Sequence, residues 1–222
     1  MSVAVNTPEE LGFLAELRIQ RWDDHRYYHQ SRINQSLHLL SAMSFIACYV
    51  LIFTNLSAAV MMGWLVAMLS RQAGHFFFEP RDYDQINRAS HEHKEDIKVG
   101  YNLRRKRILH AVWALIPVVL YFNPSFFGLV KPGEIWDGYL HNVALLWFWL
   151  AVTALVLRTI YLVFAQGLQT GLVWATKILT DPFNDFKTYL KSPWYLCRGE
   201  LLDPMPAAGS PSEETVIRGR GA

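Results

Sequence analysis

Four long apolar runs alternate with polar segments along the chain, and they cover residues 37–53, 58–78, 108–122 and 139–164. At about 1.5 Å rise per helical residue, runs of this kind reach across a hydrocarbon core of roughly 30 Å as α-helices. The third run is short for a full crossing and contains Pro117, which we expect to kink the helix. The pattern predicts an all-α, polytopic integral membrane bundle with about four transmembrane helices.

The first two runs are separated only by the short link 54–57, which predicts a helical hairpin. An antiparallel pair of spanning helices returns to the membrane face from which it started. His38 opens the first run and His75 lies near the end of the second. We therefore expect these two histidines, although distant in sequence, to lie at the same membrane surface.

Amphipathic segments flank the predicted spans, and we expect them to lie on the membrane surface. Residues 7–10 are typical of a helix start, with Thr as the cap, Pro at the first helical position and Glu three residues after the cap. Residues 11–30 then place apolar side chains between charged ones. Asn34 is expected to cap the first spanning helix. Residues 168–190 show another amphipathic pattern, interrupted by an Asp-Pro pair.

The composition is typical of one membrane-embedded domain. Hydrophobic residues make up 52% and aromatic residues 14% of the 222 positions, more than an ordinary soluble domain carries. Residues 203–222 are rich in Pro, Gly, Ala and Ser, so we expect a disordered tail after a domain at 1–202. The N-terminal residues show no cleavable signal, and Cys48 and Cys197 do not indicate a disulfide framework.

The distribution of Lys and Arg predicts the topology of the chain. If all four runs cross the membrane, one face carries Lys131 alone. The other face carries the basic residues of the N-terminus, of the 81–107 loop and of the C-terminal segment. By the positive-inside rule, both termini are expected in the cytoplasm, with the chain in a bacterial inner membrane or the endoplasmic reticulum.

The histidines are distributed unevenly in this topology. Of the eight in the chain, His141 alone falls on the far side. Imidazole is a common neutral ligand for Fe, Zn and Cu, and carboxylates often complete iron sites. The sequence thus predicts a metal centre at the cytoplasmic face, although a single interfacial histidine is equally well explained by the headgroup region.

Spacing along the chain selects candidate groups for this centre. His75 and Glu79 are four residues apart and share a helix face, so Glu79 is a candidate ligand or orienting group. Gly74 permits close approach of the backbone, and Gln72 is a candidate hydrogen-bond partner one turn earlier. Arg71 precedes this cluster and is either a snorkelling charge or a contact for a substrate carboxylate.

His29 and His38 are nine residues apart, so they point in opposite directions on one uninterrupted helix. A bend near residues 31–34 is required if both reach one site. His25 shares a helix face with His29.

Three further histidines, His91, His93 and His110, complete the candidate ligands. Because His91 and His93 are two residues apart, they share a face only in an extended segment.

The arrays His29-x4-Asn34-x3-His38 and Gln72-x-Gly74-His75-x3-Glu79 resemble the small membrane family that includes the fungal 2-hydroxy-palmitate dioxygenase of sphingoid-base alpha-oxidation. The resemblance covers about a quarter of the chain. It implies an Fe(II)-dependent oxygenase in which histidines at the positions of His29, His38 and His75 bind iron.

Pattern and resemblance together predict an integral membrane, non-haem iron dioxygenase that acts on a long-chain lipid, most simply a 2-hydroxy fatty acid. A hydrophobic bundle accommodates the acyl tail while the polar head meets Fe²⁺ and O2 at the membrane surface. The expected partners are the lipid, O2 and the bilayer, with no nucleic acid.

Two alternatives remain open from the sequence. A di-iron, histidine-rich lipid hydroxylase or desaturase would need nearly every cytoplasmic histidine together with carboxylates. A non-catalytic lipid-binding or scaffold protein would use the histidines only to line the interface, and it would purify without metal.

Overall fold

A computed structural model describes residues 12–133 and 136–205 of the chain. These residues form helices and no β-strand, in agreement with the predicted all-α class. If the continuous segment 56–78 is counted as one helix, the order is α1 Phe13–Tyr28, α2 Arg32–Leu51, α3 Leu56–Phe78, α4 His91–Asp96, α5 Leu103–Phe122, α6 Trp136–Gln166, α7 Leu168–Tyr189 and α8 Ser192–Cys197.

Helices α2 and α3 form the hairpin that the short link predicts. Asn55 caps α3, because its side chain accepts a hydrogen bond from the backbone N–H of Ala58 at 2.9 Å. Helix α3 is α-helical at both Leu56–Met62 and Leu69–Ala73, with wider π-helical turns at Gly63–Met68 and Gly74–Phe78. Wide turns of this kind often occur at functional sites, and the second one carries His75.

Three tryptophans hold α3, α5 and α6 together. The rings of Trp64 and Trp113 stack with centroids 5.5 Å apart, and those of Trp113 and Trp147 are 5.2 Å apart. Trp64 Nε1 donates to the carbonyl of Trp147 at 3.3 Å, and Trp147 Nε1 donates to that of Trp113 at 3.0 Å. Two of the three indole N–H groups are thus satisfied within the cluster, whereas Trp113 Nε1 has no partner among the described residues.

Two of the described helices are long and apolar enough to cross a membrane. They are α3, with a mean hydropathy of 1.2, and α6, with a mean hydropathy of 2.0. Helix α2 begins with buried polar residues, among them Asn34, Gln35 and His38, which lower its average. The four-span arrangement and the placement of the termini stay predictions.

The chain bends between α1 and α2 at residues 29–31, slightly before the predicted position. The expectation that Asn34 caps α2 is wrong. Ser31 is the cap, and its hydroxyl accepts from Asn34 N at 3.4 Å. The Asn34 side chain is instead fully buried and donates to the carbonyl of Tyr28 at 2.8 Å, while Gln35 Nε2 donates to that of His29 at 2.7 Å. These amides hold the bend in place.

The end of the described chain packs against this bend. Arg32 N donates to the carbonyl of Leu201 at 2.9 Å, and Asp203 N donates to that of Gln30 at 2.8 Å. Asp203 also pairs with Arg32 through its carboxylate at 2.9 Å. The helix start predicted at residues 7–10 and the tail residues 206–222 lie outside the described part of the chain.

Helix α7 runs unbroken through Pro182, and it packs with its polar side inward. Its buried side chains Lys177, Asp181, Asp185 and Tyr189 are each four residues apart and face α1, α2 and the interior. Trp174 is buried, but most other large apolar side chains of this segment point away from the protein and are exposed, among them Leu168, Leu172, Leu179, Phe183, Phe186 and Leu190 just after the helix. The predicted amphipathic pattern is present, but its polar side is the one that packs on the bundle.

Gly74 lets α3 approach α2 closely. A Cβ atom at this position would lie 2.0 Å from Asn34 Oδ1, far inside contact distance. We expect Gly74→Ala to lower the free energy of unfolding by about 1 to 3 kcal/mol, because Asn34 is held by its own hydrogen bonds and cannot move aside. Thermal unfolding in detergent measures the change.

Gly63→Ala is the matched control on the same helix. Its Cβ would meet Cys48 Sγ at 3.6 Å, an ordinary contact, so this variant should be as stable as the wild type or slightly more stable. Equal stability of the Gly74→Ala and Gly63→Ala proteins would contradict the close approach of the two helices.

Candidate metal centre

Three histidines from three different parts of the chain meet in the interior. His29 comes from the bend after α1, His38 from α2 and His75 from the last turn of α3. Their candidate ligand atoms all lie within 4.8 Å of one another, and His29 Nε2 is 3.2 Å from His38 Nε2. The hairpin thus brings His38 and His75 to one place, as the sequence predicts.

The spacing of these nitrogen atoms fits a metal ion. With bonds of about 2.1 Å and angles of 90° to 109°, two coordinating nitrogens lie roughly 3.0 to 3.4 Å apart. The 3.2 Å between His29 and His38 falls in this range. The chemistry of the set also fits, since neutral imidazole binds Fe, Zn, Cu and Ni.

A backbone carbonyl fixes the orientation of the His29 ring. His29 Nδ1 lies 2.7 Å from the carbonyl oxygen of Asp24, which can only accept, so Nδ1 carries the proton. The lone pair of Nε2 then points at the other two histidines. Burial, and next the proximity of His38, hold the pKa of His29 well below its usual value, so its imidazole is neutral and able to coordinate.

Behind His38 stands a carboxylate from α7. His38 is completely buried, and its Nδ1 lies 3.6 Å from Asp185 Oδ2. The same oxygen of Asp185 accepts a charged hydrogen bond from Arg71 Nη2. A carboxylate behind a coordinating histidine typically orients the ring and increases its basicity. Asp185 is suitably placed for both.

Glu79 stands in the corresponding position behind His75. Its Oε2 lies 3.9 Å from His75 Nδ1 and accepts a hydrogen bond of 2.6 Å from Asn34 Nδ2. Burial raises the pKa of Glu79 to about 8. All three histidines therefore have an oxygen atom on the Nδ1 side of the ring, an arrangement that leaves Nε2 for a shared metal. This favours an orienting role for Glu79 over direct ligation.

The other candidate histidines do not join the group. His25 Nδ1 is 3.2 Å from the hydroxyl of Tyr189, and His25 is not among the grouped ligand atoms. His93 is exposed on α4, and His91 is half-buried beside it. His110 Nδ1 donates to the carbonyl of Lys106 at 2.6 Å. Among the described residues, His29, His38 and His75 form the one group placed to hold a metal.

Arg71 lies beside the centre, but Asp185 already balances its charge. The sequence presents Arg71 as a contact for a substrate carboxylate, and the structure gives it a partner within the protein instead. Gln72 is buried close by, and its Oε1 accepts no hydrogen bond from a described residue.

Sequence reasoning missed the contribution of α7. The sequence predicts a surface segment at residues 168–190, yet Asp185 lies 3.6 Å from His38 and the Tyr189 ring lies 5.7 Å from that of His29. The sequence does contain a signal for this, because polar residues recur at every fourth position, at Lys177, Asp181, Asp185 and Tyr189. Such spacing places them on one face of the helix, and that face can be the buried one as well as the exposed one.

A cavity of about 550 Å³ lies along the hairpin and includes the three histidines in its wall. On α2 it extends from His38 to Ile52, a rise of about 21 Å at 1.5 Å per residue. Away from the histidines its wall is mainly apolar and aromatic, with Phe45, Val60 and Trp64 among the lining residues. The site thus joins a polar, metal-competent end to a long apolar space.

Comparison with family models, curated proteins and solved structures finds no match for this chain. What the centre does is therefore inferred from its geometry and from the resemblance in the sequence.

Proposed function

We propose that this protein is a membrane-bound, Fe(II)-dependent dioxygenase that oxidises a long-chain 2-hydroxy fatty acid. The observation that carries the proposal is the position of His29, His38 and His75 at the polar end of an apolar cavity of about 550 Å³. A lipid whose tail occupies this cavity presents its head group to the three imidazoles. Few ligands other than a long amphipathic molecule match such a space.

Iron, when bound, supplies the activation of O2 that no side chain provides. The chain contributes three neutral imidazoles, which leave coordination positions open for O2 and substrate. The carbonyl of Asp24 holds the His29 ring by a hydrogen bond. Asp185 and Glu79 lie 3.6 Å and 3.9 Å from Nδ1 of His38 and of His75, where a small movement would let each carboxylate orient its ring. The cavity wall excludes water from the acyl tail.

The overall reaction balances without an external reductant. The bond between C1 and C2 of the 2-hydroxy acid breaks, and the substrate loses four electrons to O2. C1 leaves as CO2, C2 becomes the carboxyl carbon of a fatty acid one carbon shorter, and one water is formed. An enzyme of this kind needs no bound flavin or nicotinamide.

A single metal ion is favoured over a di-iron centre. A di-iron site needs more ligands than three histidines, and the described part of the chain offers one group of three. His25, His91, His93 and His110 are not part of that group.

Two features support the proposed membrane location. Helices α3 and α6 have the length and hydropathy of spans. The outward side of α7 exposes a row of Leu and Phe, as expected of a helix whose apolar face lies in the bilayer interface. With both termini in the cytoplasm, as the distribution of Lys and Arg predicts, the histidines would lie near the cytoplasmic surface, where the polar head of a lipid is found.

The test is turnover by the purified protein. Protein loaded with Fe(II) in detergent should convert 2-hydroxyhexadecanoic acid and O2 into pentadecanoic acid and CO2, as measured by mass spectrometry. Hexadecanoic acid, which lacks the hydroxyl, should give no product. Purification without metal and without turnover would favour the lipid-binding alternative, and a stoichiometry of about two irons per chain would favour the di-iron one.

A further inference from the structure

Two lysines at the metal centre lack a counter-ion. Lys98 lies between α4 and α5, and its Nζ rests 3.4 Å from the centre of the Tyr28 ring. Lys106 lies in the first turns of α5. Neither side chain makes an ion pair or a hydrogen bond with any residue in the described part of the chain.

Several other interior cations contact a carboxylate, and the buried Arg158 instead donates to the backbone carbonyls of Val99 and Gly100. The carboxylate pairs include Lys94 with Asp84 at 2.9 Å, Lys177 with Asp181 at 2.6 Å, and Arg71 with Asp185. Lys98 and Lys106 differ from them. Both lysines are half-buried in a cavity wall. A charge that is partly withdrawn from water and has no carboxylate partner is costly, so these two lysines indicate a site that an anion completes.

The two lysines are placed where the head group of a lipid would lie. Both line the large cavity together with His75. Both also line a second cavity of about 20 Å³, which lies beside Glu79. The lysines and His75 are therefore common to both spaces, at the polar end of the apolar cavity.

Asp24, Glu95 and Glu79 act on Lys98 only at a distance, and no carboxylate of a described residue contacts either lysine. Glu95 accepts a hydrogen bond from the backbone N–H of Leu103, and Asp24 contacts Lys177. Glu79 is bound to Asn34. Burial lowers the pKa of both lysines, and in Lys106 the nearby charge of Lys98 lowers it further. A bound anion would offset this lowering of the pKa, because its negative charge favours the charged ammonium form of each lysine.

We propose that Lys98 and Lys106 form the binding site for the carboxylate of a long-chain fatty acid whose tail fills the apolar cavity. This assignment rests on the proposed function for the identity of the lipid. The sequence makes Arg71 a candidate contact for the substrate carboxylate. In this proposal Lys98 and Lys106, which contact no carboxylate of a described residue, bind it instead. The carboxylate is then held beside the three histidines, with the adjoining carbon atoms within the cavity.

The experiment compares two ligands of the same chain length, one with a charged carboxylate and one with a neutral hydroxyl head group. Full-length protein is freed of metal with a chelator and titrated in detergent with hexadecanoate or hexadecan-1-ol. Trp64 and Trp174 line the cavity, so their fluorescence reports binding. Wild-type protein should prefer the acid by roughly 10- to 100-fold, as expected of charge-assisted hydrogen bonds.

Substitutions at the lysines should remove this preference. In Lys98→Gln and Lys106→Gln, the affinity for hexadecanoate should fall by about tenfold or more, with the affinity for the alcohol unchanged. Lys106→Arg should keep the preference. Arg107→Gln, which removes an exposed charge from the next position of α5, is the matched control and should behave as wild type.

Two outcomes would overturn the proposal. One is an undiminished preference for the acid in both glutamine variants. The other is an equal loss of acid and alcohol binding, because that would assign the lysines to the structure of the cavity alone. The titration uses neither iron nor turnover, so its failure leaves the oxygenase proposal standing, and a protein without oxygenase activity could still pass it.

Discussion

The His38→Ala and His75→Ala proteins are expected to purify without bound iron, whereas the wild type should retain about one ion per chain after loading with Fe(II). Each substitution removes one of three nitrogens that lie within 4.8 Å of one another, and two imidazoles do not hold the ion against a chelator. The His29→Ala protein should lose its iron for the same reason. Elemental analysis after gel filtration measures the iron content.

His141→Ala is the control for this experiment. His141 is exposed, and its Nδ1 lies 3.0 Å from Ser57 Oγ near the turn of the hairpin, so iron content should be unchanged. His25→Ala gives a sharper comparison, because His25 is close to the centre but contacts Tyr189. If the His38→Ala and His75→Ala proteins fold and keep wild-type iron, the three histidines are not the ligands.

Asp185→Ala is expected to weaken iron binding by roughly 10- to 100-fold and to lower the free energy of unfolding by about 3 kcal/mol. The first effect arises because His38 Nδ1 loses the carboxylate at 3.6 Å that orients its ring. The second arises because Arg71 is left without its partner. Competition with a chelator measures the affinity, and thermal unfolding in detergent measures the stability.

The two effects can be separated on the same helix. Asp181 lies one turn before Asp185 and pairs with Lys177 at 2.6 Å, without contact to a histidine. Asp181→Ala should therefore reduce stability while the iron affinity stays near that of the wild type. If both alanine variants lose stability equally and neither changes the iron affinity, Asp185 serves the fold and does not act through His38.

The architecture could be predicted where local pattern decides it. The short link after the first apolar run leaves a hairpin as the only arrangement, and this hairpin brings His38 and His75 together. The need for a bend between His29 and His38 followed from helical geometry. The bend lies at residues 29–31 and not at the predicted residues 31–34, because Ser31, and not Asn34, caps α2.

The excess of candidate ligands has a physical cause. Spacing along one helix indicates which residues share a face, but it does not indicate where that face points. His25 shares a face with His29 in an ideal helix, yet the chain leaves the helix at His29 itself. His29 thereby turns toward His38 while His25 remains beside Tyr189.

By itself, the sequence determined the helical class and the hairpin that brings His38 and His75 together, because hydrophobic period and loop length act locally. Tertiary structure alone decided which side of α7 faces inward. An amphipathic pattern is compatible with burial of either side, and here carboxylates on the inner side pair with Arg71 and Lys177 while the apolar side faces outward. Packing against α2 is what brings Asp185 to His38 and completes the surroundings of the candidate metal centre.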